Sequence, residues 1–199
     1  MGLKQYKTLI IVLCIAVSLL VASPTLQQLL VYPQTNPLTE FWLFGPNHDA
    51  AYPSNVTADE NIRLFLNVAN HLGSTANYRI DVKFANQTQY TPNSFNHTSS
   101  ILPSLGSLTV LVAQNATEEL PVDISFKYKV NPDVSTQLNM ESITINGDAT
   151  GISSTRINWD TAKAGFYGDL IFELWIYNDS TNSFQYHERY LDLWLKMNI

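Results

Sequence analysis

The stretch Leu120-Pro-Val-Asp-Ile-Ser-Phe-Lys-Tyr-Lys-Val130 alternates without a break. Leu120, Val122, Ile124, Phe126, Tyr128 and Val130 share one parity; Pro121, Asp123, Ser125, Lys127 and Lys129 share the other. A period of two puts the first set on one face of a strand and the second set on the opposite face. A helix would spread the same lysines around its axis and bury one of them. One face packs and the other is wetted, which is the pattern of an antiparallel sheet.

The same period recurs on either side. Ile62, Leu64, Leu66 and Val68 alternate with Arg63, Phe65, Asn67 and Ala69, and Tyr78, Ile80, Val82 and Phe84 alternate with Arg79, Asp81, Lys83 and Ala85. Residues 70–77, with Gly73 among them, are expected to close these two strands into a hairpin. Asn146-Gly147, following Ile143-Thr-Ile145, is a two-residue hairpin signal. Residues 41–44 are apolar on both faces, and residues 108–113 and 170–177 are largely apolar. Residues 188–197 set Leu191, Leu193 and Leu195 against Asp192 and Lys196. Strands at this spacing, punctuated by Gly, Pro, Asn and Ser, predict an all-β chain, specifically an immunoglobulin-like antiparallel β-sandwich over 39–199. An insertion is expected around 131–165, with a short helix in 153–165.

Ahead of the strands lies an apolar run, residues 8–22, preceded by Lys4 and Lys7; no Lys or Arg follows until Arg63. Basic residues stay on the cytoplasmic side, so the remainder is expected outside. The strict run has the length of a signal-peptide core, but 26–31 prolong it, and residues 8–31 are long enough to cross a bilayer with some tilt. Leu20 and Ala22 fit a small-residue cleavage pattern only in part, and Pro24 follows closely. An uncleaved signal-anchor is therefore favoured over a cleaved signal. The expected organisation is a cytoplasmic tail 1–7, one transmembrane helix 8–31 meeting membrane lipid, a linker 32–38 and an extracellular domain 39–199 in a single-pass cell-membrane protein. Pro33 and Pro37 stiffen a linker too short to carry the domain far from the bilayer. Cys14, the sole cysteine, lies in the apolar run, so the exterior part depends on packing and not on disulfides.

The chain carries 17 acidic and 11 basic residues, a net charge of −6. With Lys4 and Lys7 inside, the exterior part is more acidic still, which argues against nucleic acid as a partner. Five Asn-x-Ser/Thr sequons, at Asn55, Asn86, Asn96, Asn115 and Asn178, fall mostly at strand ends and are expected glycan acceptors.

Catalytic templates fail. There is no Gly-x-Ser-x-Gly, no His-Glu-x-x-His, no phosphate loop and no exterior cysteine. His48, His71, His97 and His187 are scattered, and Asn146-Gly-Asp148 lacks the later acidic ligands of a calcium loop. No catalytic residue, metal or cofactor is expected. On the strands apolar on both faces, Trp42, Phe44, Trp175 and Tyr177 are expected to form a contact patch for another envelope or membrane protein. The function expected is a non-enzymatic interaction or accessory role. A carbohydrate-binding module using exposed aromatics, and a pilin-like filament subunit, remain as alternatives.

Several segments together resemble a known family. Glu40-Phe-Trp-Leu-Phe-Gly-Pro-Asn47, Ala51-Tyr-Pro-Ser-Asn-Val-Thr57, Leu66-Asn-Val-Ala-Asn-His71 and Asn77-Tyr-Arg-Ile-Asp-Val82 occur in order. They are similar to the exterior domain of the domain-of-unknown-function 1616 family, found mainly in archaeal membrane proteins. Asp169-Leu-Ile-Phe-Glu-Leu-Trp-Ile-Tyr177 and Leu191-Asp-Leu-Trp194 resemble its closing strands more loosely. Residues 58–61 and 131–165 depart from the pattern. The resemblance implies fold and topology and no chemistry.

Overall fold

The computed structural model describes residues 6–7, 10–15, 17–18, 37–89, 91–93 and 95–199. The chain divides into two compact units, Met1–Pro37 and Leu38–Ile199. In the first, the described residues 6–7, 10–15 and 17–18 are helical and exposed. Most of the expected span 8–31 and of the linker 32–38 lies outside the described residues. Among the described residues, no helix is long and apolar enough to cross a membrane.

The second unit is built of strands: β1 (Leu38–Phe44), β2 (Asn55–Thr57), β3 (Asn61–His71), β4 (Ala76–Ala85), β5 (Gly106–Val112), β6 (Thr117–Val130), β7 (Gln137–Ile145), β8 (Asp148–Gly151), β9 (Arg156–Asp160), β10 (Gly165–Asn178) and β11 (Ser183–Asn198). They form one curled sheet with two arcs. One arc runs β1-β3-β6-β7, with β8 on β7; the other runs β5-β4-β10-β11-β2. Every pairing is antiparallel except β11 with β2. Strand β9 joins the arcs, pairing β7 through Arg156, Ile157 and Asn158 and β10 through Trp159 and Asp160.

The alternating residues face one another across the curl. Leu64, Leu66 and Val68 of β3, Val122, Ile124 and Phe126 of β6, Tyr78, Ile80 and Val82 of β4, and Leu170, Phe172 and Leu174 of β10 are all fully buried. Phe84 and Phe126, one from each arc, have ring centroids 5.5 Å apart. Each such side chain is worth about 1.5–3 kcal/mol when fully buried, so this shared core dominates the stability. Tyr128 closes the far end. Its hydroxyl lies 2.9 Å from the Val56 carbonyl and 2.7 Å from the Asn198 carbonyl, tying β6 to β2 and to the end of β11.

Two local expectations are corrected. Residues 70–77 do not close a hairpin: β3 pairs with β1 and β6, while β4 pairs with β10 and β5. The segment instead arches from one arc to the other. Asn70, fully buried, holds it by donating to the Ser74 and Val112 carbonyls and accepting from the Leu72 N–H. Gly73 does take the turn, at φ 95°. Nor do residues 153–165 hold a helix. They carry β9, because burying Ile157 in the core and bonding Trp159 N–H to the Thr136 carbonyl favour an extended chain. Residues 131–165 also supply the buried Leu138, Met140, Ile143 and Ile145. The Asn146-Gly147 turn forms between β7 and β8, with φ 50° and 93°, the left-handed pair that a primed turn requires.

Gly168 packs so closely beneath Phe84 that a Cβ there would overlap the ring and press on Ile157 Cδ1 at 3.3 Å. Gly168→Ala should therefore destabilise the fold by about 1–3 kcal/mol through overpacking. Thermal or urea unfolding checks this, and an unchanged midpoint would contradict the close packing of Phe84 against β10.

Candidate functional site

Strands β10 and β11 form the longest pairing, and it is interrupted once. Leu174 pairs with Arg189, but Trp175 pairs with Tyr186, which leaves His187 and Glu188 without partners on β10. Glu188 sits at φ 57°. Such bulges re-aim side chains and recur beside functional sites. Here the bulge turns His187 toward β1. His187 Nε2 lies 2.8 Å from Thr39 Oγ1, Thr39 Oγ1 lies 2.9 Å from the Tyr78 hydroxyl, and the Tyr78 hydroxyl lies 3.4 Å from Asn70 Oδ1. One assignment of protons satisfies the chain: Tyr78 donates to Asn70, Thr39 donates to Tyr78, and His187 Nε2–H donates to Thr39. Four strands are thereby tied through buried polar groups, Thr39, Tyr78 and Asn70 being almost wholly excluded from solvent.

The chain of bonds opens onto a seam between β1 and β11, which do not pair with each other. Two open cavities of about 400 Å³ each adjoin at Glu188 and Arg189, the second spanning the seam and the first lying beside it on β10, β11 and His97. The first is also lined by His97, Ile176, Gln185, Tyr186 and His187, the second by Leu38, Thr39, Glu40, Phe41 and Tyr190. Burial, and then Arg189, hold the His187 imidazole below its ordinary pKa, which favours the neutral ring. Burial, followed by the nearby Glu173, pushes the Tyr186 phenol up to about 12. Glu188 faces His97 Nδ1 at 3.0 Å. The seam offers hydrogen-bonding groups on a rigid frame.

The outer face of β10 carries a second polar cluster, and it is covered. Glu173 is fully buried and Lys83 nearly so, with Lys83 Nζ 2.8 Å from Glu173 Oε2. Ser100, in the connection between β4 and β5, covers them: its N–H donates to Glu173 Oε1 at 2.6 Å, and Lys83 Nζ donates to its carbonyl at 2.8 Å. Beside them Arg79 Nε meets Asp81 Oδ1 at 2.9 Å. Fully buried Asp169 is displaced furthest; burial, and then Asp192, push its carboxyl up to about 7, with the Leu193 backbone N–H pulling the other way. This cluster latches a loop to the sheet. Removing one partner of such a buried pair typically costs about 3–5 kcal/mol.

The aromatic residues singled out from the sequence are not brought together. Trp42 and Phe44 are half-buried on β1 in an edge contact of 6.4 Å. Trp175 and Tyr177 are half-buried on β10 in the other arc, Trp175 against Arg79 at 5.1 Å and Tyr186 at 5.6 Å, Tyr177 against Phe184 at 5.3 Å. A more exposed aromatic ledge lies elsewhere, where Lys163 Nζ sits 5.2 Å from the Trp194 ring and 5.4 Å from the Tyr167 ring. His97 and His187, far apart in sequence, share one cavity. His48 instead stacks on Phe65 at 3.8 Å, and His71 faces Asn115 Oδ1 at 3.3 Å. Among the described residues no His, Cys, Asp and Glu group could hold a metal ion. Cys14 is exposed. The sequons divide by geometry. Asn86 Nδ2 is committed to the Arg156 carbonyl at 2.9 Å and Asn178 Nδ2 to Gln185 Oε1 at 3.0 Å. Asn55, Asn96 and Asn115 are exposed, and Asn55 makes only a long bond of 3.4 Å to Ser54.

The profile of one family, described as Domain of unknown function (DUF1616), matches residues 33–196. No curated protein matches. Two crystal structures of a β-glucosidase from Listeria innocua are similar. The complex with glucose has a TM-score of 0.36 at 8% identity over 83% of this chain, and the complex with gluconolactone 0.34 at 9% over 79%. The chain spans only 17% and 16% of those chains.

The Asp169 displacement has a definite sign. An unfolded aspartic acid titrates near 3.9, so between about pH 4 and pH 7 the folded chain holds a proton that the unfolded chain has released. Its contribution is full below pH 4 and is lost as pH rises through 7. Asp169→Asn should remove this slope, leaving the variant more stable than the parent by about 2–4 kcal/mol at pH 8 and nearly equal to it at pH 4. Urea midpoints across that range check it. For the sequons, glycopeptide mapping of chain from a glycosylating host should find glycans on Asn96 and Asn115, with Asn86 and Asn178 bare.

Proposed function

The chain belongs to the DUF1616 family, and on that premise we propose that it is a membrane-anchored, non-enzymatic binding module of the cell envelope. In this reading residues 8–31 anchor it, residues 39–199 form an extracellular immunoglobulin-like sandwich, and the seam between β1 and the β11 bulge receives another envelope component. The observation that carries the reading is the His187–Thr39–Tyr78–Asn70 chain, which fixes the two walls of an open cleft from within the core. A site held by buried hydrogen bonds needs little further ordering when it binds, which is what recognition demands. Two of the titratable side chains at the seam are already engaged, Glu188 with His97 and His187 with the Thr39 hydroxyl, which fits a site that holds its ligand in place.

The ledge of Trp194, Tyr167 and Lys163 favours a second reading, a carbohydrate-binding module, because exposed aromatic faces stack on sugar rings. A glycan array scored with wild type and Trp194→Ala separates the two.

Protease added to intact cells should digest residues 39–199. Chain solubilised in mild detergent from its native membrane should co-purify with a defined component, and Gln185→Trp, which fills the cleft, should reduce that recovery at least about tenfold. Protection of the domain from protease, or a strictly lone monomer, would overturn the reading.

A further inference from the structure

We propose that the seam binds a compact organic carboxylate through Arg189; the inference rests on the reading of this seam as the binding surface. Arg189 stands between the two cavities and lines both. Among the described residues it has no carboxylate within ion-pair distance, and its Nε is buried without a hydrogen-bond partner. A guanidinium is charged at every physiological pH and presents a planar fork that matches a carboxylate with two parallel bonds. Leaving one partly desolvated and unpaired is costly, and an incoming carboxylate would relieve that cost.

The carboxylates already at the rim do not fill this role. Glu188 is engaged by His97 at 3.0 Å, and Glu40 lies 3.9 Å from His71 Nε2. Each acidic neighbour therefore has its own histidine, and Arg189 is the charge left over. Around it, Gln185 offers an amide, while Ile176 and the Tyr186 ring give apolar walls. A cavity of about 400 Å³ suits a ligand of monosaccharide size or smaller. Another explanation for an inward-facing charge is that it guards an unpaired strand edge against association. The two differ in what they require. A guard needs only the charge, whereas a carboxylate site needs the fork.

The test uses the full chain in detergent at constant ionic strength, titrated calorimetrically with sodium acetate, sodium glucuronate and glucose. Acetate and glucuronate should bind saturably and glucose should not; glucuronate binding tighter than acetate would mean that the body of the ligand also contributes. Arg189→Lys, which keeps the charge, should weaken both acids at least about tenfold with an unchanged unfolding midpoint. Glu188→Gln should leave them unchanged or tighten them by removing a negative neighbour. Glucose binding as well as glucuronate, an undiminished affinity in Arg189→Lys, or no saturable binding of either acid overturns the proposal. If the wild type fails to bind the acids yet still co-purifies with its envelope component, only the carboxylate site falls. If both are lost, the seam itself is not the binding surface.

Discussion

Five residues, Arg156–Asp160, pair with two partners in succession. The first three lie along β7 and the last two along β10. A strand shared in this way cannot lie flat, since the ladder it leaves and the ladder it joins belong to opposite walls. Its right-handed twist carries the sheet round a corner. The shared core follows from that turn. Phe126 on one wall reaches Phe84 on the other only because β9 has folded the sheet over, and Ile157 of β9 itself fills the corner. The seam is the complementary consequence: a sheet that curls but does not close leaves two strands, β1 and β11, facing each other without a ladder between them.

Nature closes that gap only in part, and with side chains instead of backbone. The Thr39 hydroxyl joins His187 on one side to Tyr78 on the other, and Asn70, which also pins the arch between β3 and β4, ends the chain. Buried polar groups of this kind are favourable only when each is satisfied, and here one consistent set of donors and acceptors does so. The charged latch on the outer face follows the same rule. Lys83, Glu173 and Ser100 satisfy one another, so the connection between β4 and β5 is held to the outer face by polar bonds while Leu105 at its end enters the core.

Most of the strands were legible in the sequence because their alternation is simple and local. Residues 120–130 and 62–69 each have a regular apolar face, and that face enters the core, although Asn67 and Ala69 on the other face of the second are covered as well. What was not legible depends on partners. Residues 70–77 have the length and the glycine of a hairpin, yet the same features serve an arch, and only the pairing of β3 with β6 distinguishes them. Residues 153–165 contain a single core side chain, Ile157, too little for any period to register. The bulge is hidden for a sharper reason. It inserts two residues, His187 and Glu188, an even number, so Gln185, Arg189 and Leu191 keep the same parity and the inward pattern runs on undisturbed. Charges within a strand apolar on both faces, Asp169 and Glu173, were the one available sign that its outer face is covered.

Strand β1 is bonded along one side only, to β3, and its Thr39 is also the pivot of the polar chain. It is moreover the first strand after residue 37. Tension transmitted through the preceding residues must therefore enter the sheet at Leu38 and load the first rungs beside Thr39 before any other. Pulling would loosen His187 and open the cleft while the core between the arcs stayed intact. Force applied at Leu38 and the side-chain bonds that hold the walls of the cleft together are thus opposed quantities in this architecture.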